Sequence, residues 1–467
     1  MLFNSLEFLV FFPIVIMLYY ALPFKYRWLM LLVASYVFYM WWKAEYALLI
    51  LASTLIDYFA ARWLEKTTHQ IKRKCLLALS LASNLGILFF FKYFNFVNTN
   101  LGSLSEIFGF AYQPSPLDVL LPVGISFYTF QTMSYTIDVF KGNMKAEKHF
   151  GYFALYVTYF PQLVAGPIER AERLLPQMHE NHSLSAQNIS RGLKLIFWGM
   201  FKKVAVADNL APYVNEVFNH PQQYEGLSLL LATVFFSFQI YYDFSGYSDI
   251  AIGSARVMGV HLMTNFNHPY FATSVAEFWR RWHISLSTWF RDYVYIPLGG
   301  NRSNRYRNIL ITFLLSGLWH GANWTFIVWG GLHGLYMVIA DKTKSFQHQL
   351  IAGKVFHVAI TYLLILFAWI FFRANSIQDA FLVIQKLPNI SLQFSALNVL
   401  KDAFGLSLML ALLITMQLIH FYERRENIML QLERKPVALR WSFYSALLWL
   451  LFLYGNYSEQ EFIYFTF

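Results

Sequence analysis

The chain has 467 residues, of which 57% are hydrophobic, 19% aromatic and only 13% charged, with a mean hydropathy of +0.42. A soluble fold of this length needs about twice that charged fraction, so a polytopic integral membrane protein is expected instead. The formal charge of +10 does not point to nucleic acid, because basic residues of such chains gather in short cytoplasmic loops facing anionic headgroups.

In chain order, helical apolar stretches are predicted at 6–22, 26–42, 46–63, 75–91, 119–140, 150–165, 193–206 and 228–242. They resume at 309–320, 324–340, 355–372, 406–421 and 439–454. Several fall short of the roughly 20 residues needed to cross the hydrocarbon core, so the centre is expected to be thin, tilted or re-entrant. No basic residue precedes Lys25 and no small-residue cleavage pattern follows the first apolar run, so that span is expected to remain in the mature protein. Cys75, the only cysteine, allows no internal disulfide or thiolate metal cluster and reads as a small buried side chain.

Basic residues give an orientation. Lys25 with Arg27, then Lys66 with Lys72, Arg73 and Lys74, then Lys141, Lys145 and Lys148 fall in alternate loops. The positive-inside bias assigns these to the cytoplasm, leaving the N-terminus outside. Arg302, Arg305 and Arg307, then Lys342 and Lys344, then Arg424, Arg425, Arg434, Lys435 and Arg440 mark further cytoplasmic loops and put the C-terminus outside as well. Crossings between 165 and 300 cannot be counted from sequence.

The run from Glu277 to Asp292, EFWRRWHISLSTWFRD, is too charged for a lipid-facing span, and ionisable groups at membrane depth are costly and usually functional. Read as one helix, Phe278 to Asp292 places Phe278, Trp279, Trp282, Leu286, Trp289 and Phe290 within an arc of roughly 120°, with Arg280, Ser287 and Arg291 opposite and His283 at the aromatic edge. Such a helix lies along an interface, its arginines toward lipid headgroups or other phosphates. His320 ends a short apolar segment, Ile309 to Trp319, spanning about 18 Å, and is expected deep in the protein near the turn of a helical hairpin. Gly317, Gly321, Gly330 and Gly334, four apart, permit close helix approach there. His333, His357 and His420 read as hydrogen-bonded structural residues.

Two other polar groups have two readings each. Asp243, Ser245 and Asp249 in YDFSGYSD either cap and pack a helix or form an acid/base or ion site. Gln162, Glu169 and Arg170 in PQLVAGPIER shape a re-entrant turn, with Glu169 and Arg170 a candidate pair, or take a direct functional part.

The segments WRRWHISLSTWFRDYVYIPLGGN and SGLWHGANWTFIVWGGLHG, with LPVGISFYTFQTMSYTIDV and YFPQLVAGPIER upstream, resemble the membrane-bound O-acyltransferases, in the bacterial polysaccharide-modifying branch typified by the alginate O-acetyltransferase membrane component. The resemblance covers the whole chain. It implies an all-α, polytopic single domain over 1–467, with about 11–13 transmembrane helices and interfacial or re-entrant helices around a central tunnel. It also implies a general base at His320 and a second motif histidine at His283, which orients the acceptor or polarises the thioester carbonyl. A hydroxyl, even a phenol of pKa about 10, is a poor nucleophile until a neutral imidazole removes its proton. Arg280, Arg281 and Arg291, with Trp282 and Asn323, are candidate donor-binding residues, and Asn267 and Asn323 candidate oxyanion donors.

The tail at 458–467, SEQEFIYFTF, resembles in its FIYF core the terminal motif of the small partner protein of teichoic-acid D-alanylation, where a tyrosine is thought to carry the acyl group. Tyr464 is thus either an acyl relay or an aromatic interface anchor. The expected activity is O-acetyl transfer from cytoplasmic acetyl-CoA, with no permanently bound cofactor or metal, to an exported or cell-wall polysaccharide. It is expected in the bacterial inner membrane, with an extracytoplasmic acetyltransferase as partner. The alternatives are D-alanyl transfer toward teichoic acid and, from another class, a polysaccharide or ion transporter.

Overall fold

A computed structural model describes residues 1–110, 112–164, 166–342, 353–389, 403–423, 428–457 and 462–465. Lys344, Arg424, Arg425 and most of the tail lie outside the described residues. Every regular element described is helical, and the chain divides into two compact units, Met1–Gly192 with Ala251–Met263 and Leu193–Ile250 with Thr264–Phe467.

The first unit holds α1 (Leu6–Ala21), α2 (Phe24–Met40), α3 (Ala47–Lys66), α4 (Gln70–Leu88), which continues through a π-turn into α5 (Phe94–Ile107), α6 (Ile125–Lys141), α7 (Phe150–Thr158), α8 (Phe160–Leu163), α9 (Ala171–Met178) and the start of α10 (Ala186–Met200). The basic clusters flank every second connection, α4 and α5 counting as one: Lys25 and Arg27 open α2, Lys66 ends α3, Lys72, Arg73 and Lys74 open α4, and Lys141 ends α6 with Lys145 and Lys148 after it. Two apolar stretches are bounded differently from the sequence reading. The span predicted from 119 begins only at Ile125, because Pro122 and Gly124, at φ 75°, hold the preceding segment out of helical geometry. The span predicted over 150–165 breaks at Tyr159, where ψ of 108° precedes Pro161.

Gln162 donates to the Tyr156 carbonyl at 2.7 Å across that break, and buried Glu169 accepts from the Met263 N–H. Glu169 lies 3.8 Å from the Arg173 guanidinium, and Arg170 also acts on it electrostatically. Cys75 is exposed rather than buried. It sits near the start of Gln70–Ile107, a helical segment of membrane-spanning length that the rest of the protein leaves mostly uncovered.

The second unit contains the end of α10, a π-turn over Phe201–Ala207, α11 (Asp208–Asn219), most of α12 (Gly226–Val257), α13 (Val275–Arg281), α14 (Ile284–Phe290), α15 (Arg305–His320), α16 (Trp324–Lys342), α17 (Lys354–Arg373), α18 (Ile377–Lys386), α19 (Ala403–Tyr422), α20 (Ile428–Glu433), α21 (Val437–Tyr454) and a final 3₁₀ turn, Ile463–Phe465. Six helical segments among the described residues are long and apolar enough to cross a membrane: Ala44–Lys66, Gln70–Ile107, Gly226–Val257, Lys354–Arg373, Gly405–Tyr422 and Val437–Tyr454. With these the protein is an all-α, multi-pass membrane protein. The remaining apolar helices among the described residues are shorter or more polar.

Candidate active site

His320 owes its position to helix packing. α15 and α16 form a hairpin in which backbone lies on backbone. A Cβ on Gly317 would stand 2.2 Å from the Phe326 carbonyl oxygen, and one on Gly330 2.3 Å from that of Phe313. Only glycine permits that approach. α15 ends at His320, where Gly321 turns extended and its N–H returns to the Gly317 carbonyl. The imidazole is 3% exposed and enclosed by Trp319, Trp329 and Phe372, with ring centres 4.9, 4.9 and 5.2 Å away.

The segment read as one helix from 278 to 292 is two. α13 stops at Arg281 and α14 starts at Ile284, with His283 between them in the left-handed region at φ 42°. Such a backbone is unfavourable outside glycine and persists only where its surroundings hold it. They do so through Asn265, whose carbonyl accepts from the Ile284 N–H at 2.9 Å. Its side-chain Oδ1 accepts from the Ser285 N–H at 3.3 Å and hydroxyl at 2.9 Å, and lies 3.2 Å from His283 Nδ1. Because the Ser285 N–H can only donate, that atom of Asn265 must be the oxygen. His283 Nδ1 therefore carries the proton and Nε2 the lone pair, an assignment made from the hydrogen-bond network. Burial holds the His283 imidazole far below the usual range, at about 3, so the ring is neutral at physiological pH.

The kink leaves the two faces as expected. Phe278, Trp279, Trp282, Leu286, Trp289 and Phe290 are buried, while Arg280 and Arg291 are exposed.

The end of the chain reaches both histidines. The Tyr464 ring lies 5.7 Å from His320 and 6.2 Å from His283, centre to centre, packed on Phe244 at 4.5 Å. Burial pushes its phenol well above the usual range. The Ile463 N–H donates to Asp243 at 2.9 Å, and the other Asp243 oxygen is 2.9 Å from the Lys203 ammonium, which also pairs with Asp208 at 2.8 Å. Asn456 donates to the carbonyls of Val204 and Asp208, so the stretch after α21 is tied to the same π-turn. Asp243 and Asp249 are not helix caps. α12 runs past the predicted end at 242 to Val257, leaving both mid-helix, where Asp243 holds the tail and Asp249 pairs with Lys202.

A cavity of about 660 Å³ is lined by Trp279, Leu286 and Ser287 and by Ser316, one turn before His320 on α15, with Arg280, Arg291 and Arg305 also at its wall. Arg291 and Arg305 pair with Asp292 and Asp341, and Arg280 makes no ion pair among the described residues. Three candidate donor residues lie off this cavity's wall. Arg281 pairs with Glu277 at 2.6 Å, and Trp282 is fully buried against Phe278 and Trp369. Asn323 spans the Asn375 carbonyl and the Thr325 N–H. Asn267 is exposed, and its backbone N–H donates to the Arg281 carbonyl. His333 accepts from the Trp279 indole at 3.2 Å, the structural role expected of it.

Asn265, Lys203 and Asp208 escaped sequence reading. Asn265 and Lys203 lie far along the chain from His283 and Asp243, which they serve, and Asp208 joins them only through Lys203, five residues before it. The only available signal was ionisable residues inside an apolar run, as in FKKVAVAD.

The model of the membrane-bound O-acyltransferase family matches residues 139–380, a stretch holding both histidines. The chain is 41% identical over 389 residues to the probable alginate O-acetylase AlgI of Azotobacter vinelandii, covering 81% of this chain and 76% of that protein. It is 35% identical to the peptidoglycan O-acetyltransferase of Helicobacter pylori, covering 78% and 74%. To the teichoic acid D-alanyltransferase of Bacillus subtilis it is 27% identical over 50% of this chain and 63% of that protein. A family match across half the chain, together with relatives similar over most of its length, makes this protein a member of the membrane-bound O-acyltransferase family and an acyltransferase.

Proposed function

We propose that this protein transfers acetyl groups from cytoplasmic acetyl-CoA across the bacterial inner membrane for O-acetylation of an exported or cell-wall polysaccharide. The observation that carries the reading is the meeting of His320, His283 and Tyr464 in one buried aromatic site. An alginate O-acetylase and a peptidoglycan O-acetyltransferase as relatives over about four-fifths of the chain support O-acetyl transfer to a polymer. The D-alanyltransferase likeness covers only half of it.

In this reading His320 is the general base. It takes the Tyr464 phenol proton as the phenolate oxygen attacks the acetyl thioester carbonyl. The C–S bond then breaks, the thiolate leaves with the proton from the imidazolium, and Tyr464 carries the acetyl ester. Neutral His283, its tautomer set by Asn265, orients the acceptor or polarises the carbonyl. The arginine-walled cavity suits a donor with phosphates at one end and an acyl chain at the other, Arg280 and Arg291 taking the phosphates. A sugar hydroxyl, held by an extracytoplasmic partner transferase, then attacks the Tyr464 ester, the phenolate–acyl bond breaks, and the hydroxyl proton returns to the phenolate.

The test is mass spectrometry of the C-terminal peptide during turnover, alongside the O-acetyl content of surface polysaccharide. The expected result is an acetyl adduct on Tyr464 and loss of polymer acetylation in Tyr464→Phe. Full acetylation by Tyr464→Phe overturns the relay, and unchanged polysaccharide without the protein overturns the function.

A further inference from the structure

His268, His420 and Glu423 stand apart from the acyl-transfer site and converge on one point. Each offers a ligand atom, and no two of these atoms are farther apart than 4.8 Å. Glu423 Oε2 lies 3.9 Å from His268 Nδ1 and 3.8 Å from His420 Nε2. Those distances are too long for hydrogen bonds between the groups. Ligands of one four-coordinate zinc stand about 3.3–3.6 Å apart, so these atoms are somewhat more widely spaced than in an occupied site. A cation equidistant from three atoms so placed would sit roughly 2.5 Å from each, a few tenths of an ångström beyond the usual zinc–nitrogen and zinc–carboxylate distances of about 2.0–2.2 Å.

The chain builds the convergence from two directions. His420 and Glu423 are three apart at the end of α19, and the Glu423 N–H still donates to the Ile419 carbonyl, so both side chains leave one helical face. His268 comes from the loop before α13, held at φ 45° in a backbone that non-glycine residues seldom adopt. Its carbonyl accepts from the Phe271 N–H at 3.2 Å and the Arg281 guanidinium at 3.4 Å, which keeps the loop in place. The His268 and His420 rings are 5.0 Å apart, and His420 packs against Tyr241 and Tyr242.

Charge favours a cation as well. His420 and Glu423 are 2% and 4% exposed. Lys202 acts electrostatically on both, but it is ion-paired with Asp249, which also repels Glu423. With neutral imidazoles, one buried carboxylate, Glu423, and one half-buried, Asp249, face one ammonium. Buried excess charge is expensive unless a counter-charge meets it. The second Glu423 oxygen is already oriented by the Ile428 N–H at 2.9 Å, the kind of outer hydrogen bond that fixes a ligating carboxylate.

We propose that His268, His420 and Glu423 bind one divalent transition-metal ion of the zinc class, with water in the fourth position. The ion ties the loop before α13 to the end of α19. Two imidazoles and a carboxylate suit zinc, whereas calcium and magnesium demand more oxygen ligands.

The experiment uses the full-length protein in detergent, carrying an affinity tag without histidine. It is stripped with chelator, dialysed against micromolar zinc and assayed for bound metal by inductively coupled plasma mass spectrometry, with cobalt(II) substitution as an optical probe. About one zinc per chain is expected, with the visible bands of four-coordinate cobalt. Glu423→Gln and, independently, His268→Gln should each weaken retention by more than about tenfold. Chelation alone should lower the melting temperature of the unaltered protein, a readout needing no variant. Zinc retained no better by the unaltered protein than by the double variant overturns the proposal, as does equal retention by all forms. Because metal content is read without any acyl transfer, the outcome is independent of the acetylation reading.

Discussion

His320 and His283 approach the same phenol, yet the chain positions them by opposite means. His320 ends an uninterrupted helix whose placement follows from glycines that let α15 and α16 touch backbone to backbone. His283 sits in a break between two short helices, in a left-handed backbone held by Asn265. The first arrangement is local and repetitive and uses ordinary helical geometry. The second stores backbone strain and relies on a residue from another segment to sustain it. His320 is packed among the rings of Trp319, Trp329 and Phe372, whereas His283 has a ring whose tautomer is set in advance by Asn265.

This contrast can be broken most directly at His320. His320→Ala is expected to lower acyl transfer by about 10²–10⁴-fold with protein yield unchanged, measured as polysaccharide O-acetyl content and thioester turnover. Comparable activity would move the base elsewhere, His283 Nε2 being the next candidate. A smaller effect is expected at the support of the other histidine. Asn265→Ala removes the acceptor for Nδ1 and for both Ser285 donors, so turnover should fall roughly 10–10²-fold and stability by about 1–3 kcal/mol. Turnover unaltered in a correctly folded Asn265→Ala protein would show that His283 needs no tautomer control.

Asp243 sharpens the comparison from the side of the phenol. Asp243→Ala leaves Lys203 paired with Asp208 but removes the acceptor for the Ile463 N–H. Acylation of the C-terminal peptide is expected to drop about tenfold with donor KM unchanged, by mass spectrometry and steady-state kinetics. The smallest effect is expected at the cavity. Arg280→Gln should raise the donor KM a few-fold, with weaker dependence on ionic strength, while Arg281→Gln, off the cavity wall and paired with Glu277, should leave it unchanged. The reverse pattern would relocate the donor phosphates.

Composition determined the class, because 13% charge and a run of apolar spans admit only a helical membrane protein. Periodicity placed most helix ends within a few residues, including the stop at His320, since helices obey local rules of length, glycine and proline. It also sorted the buried aromatics from Arg280 and Arg291, because a two-residue kink only partly alters helical phase. The resemblance named His320, His283 and Tyr464 from motifs. What sequence could not supply were the relations between distant segments. The break at His283, the support from Asn265 and the docking of Ile463 on Asp243, itself paired with Lys203, all depend on contacts across many residues. So does the meeting of His268 with His420 and Glu423. A left-handed histidine and a mid-helix carboxylate contradict local preference, and each is stable only where a distant partner satisfies it. Tertiary structure alone decided those positions.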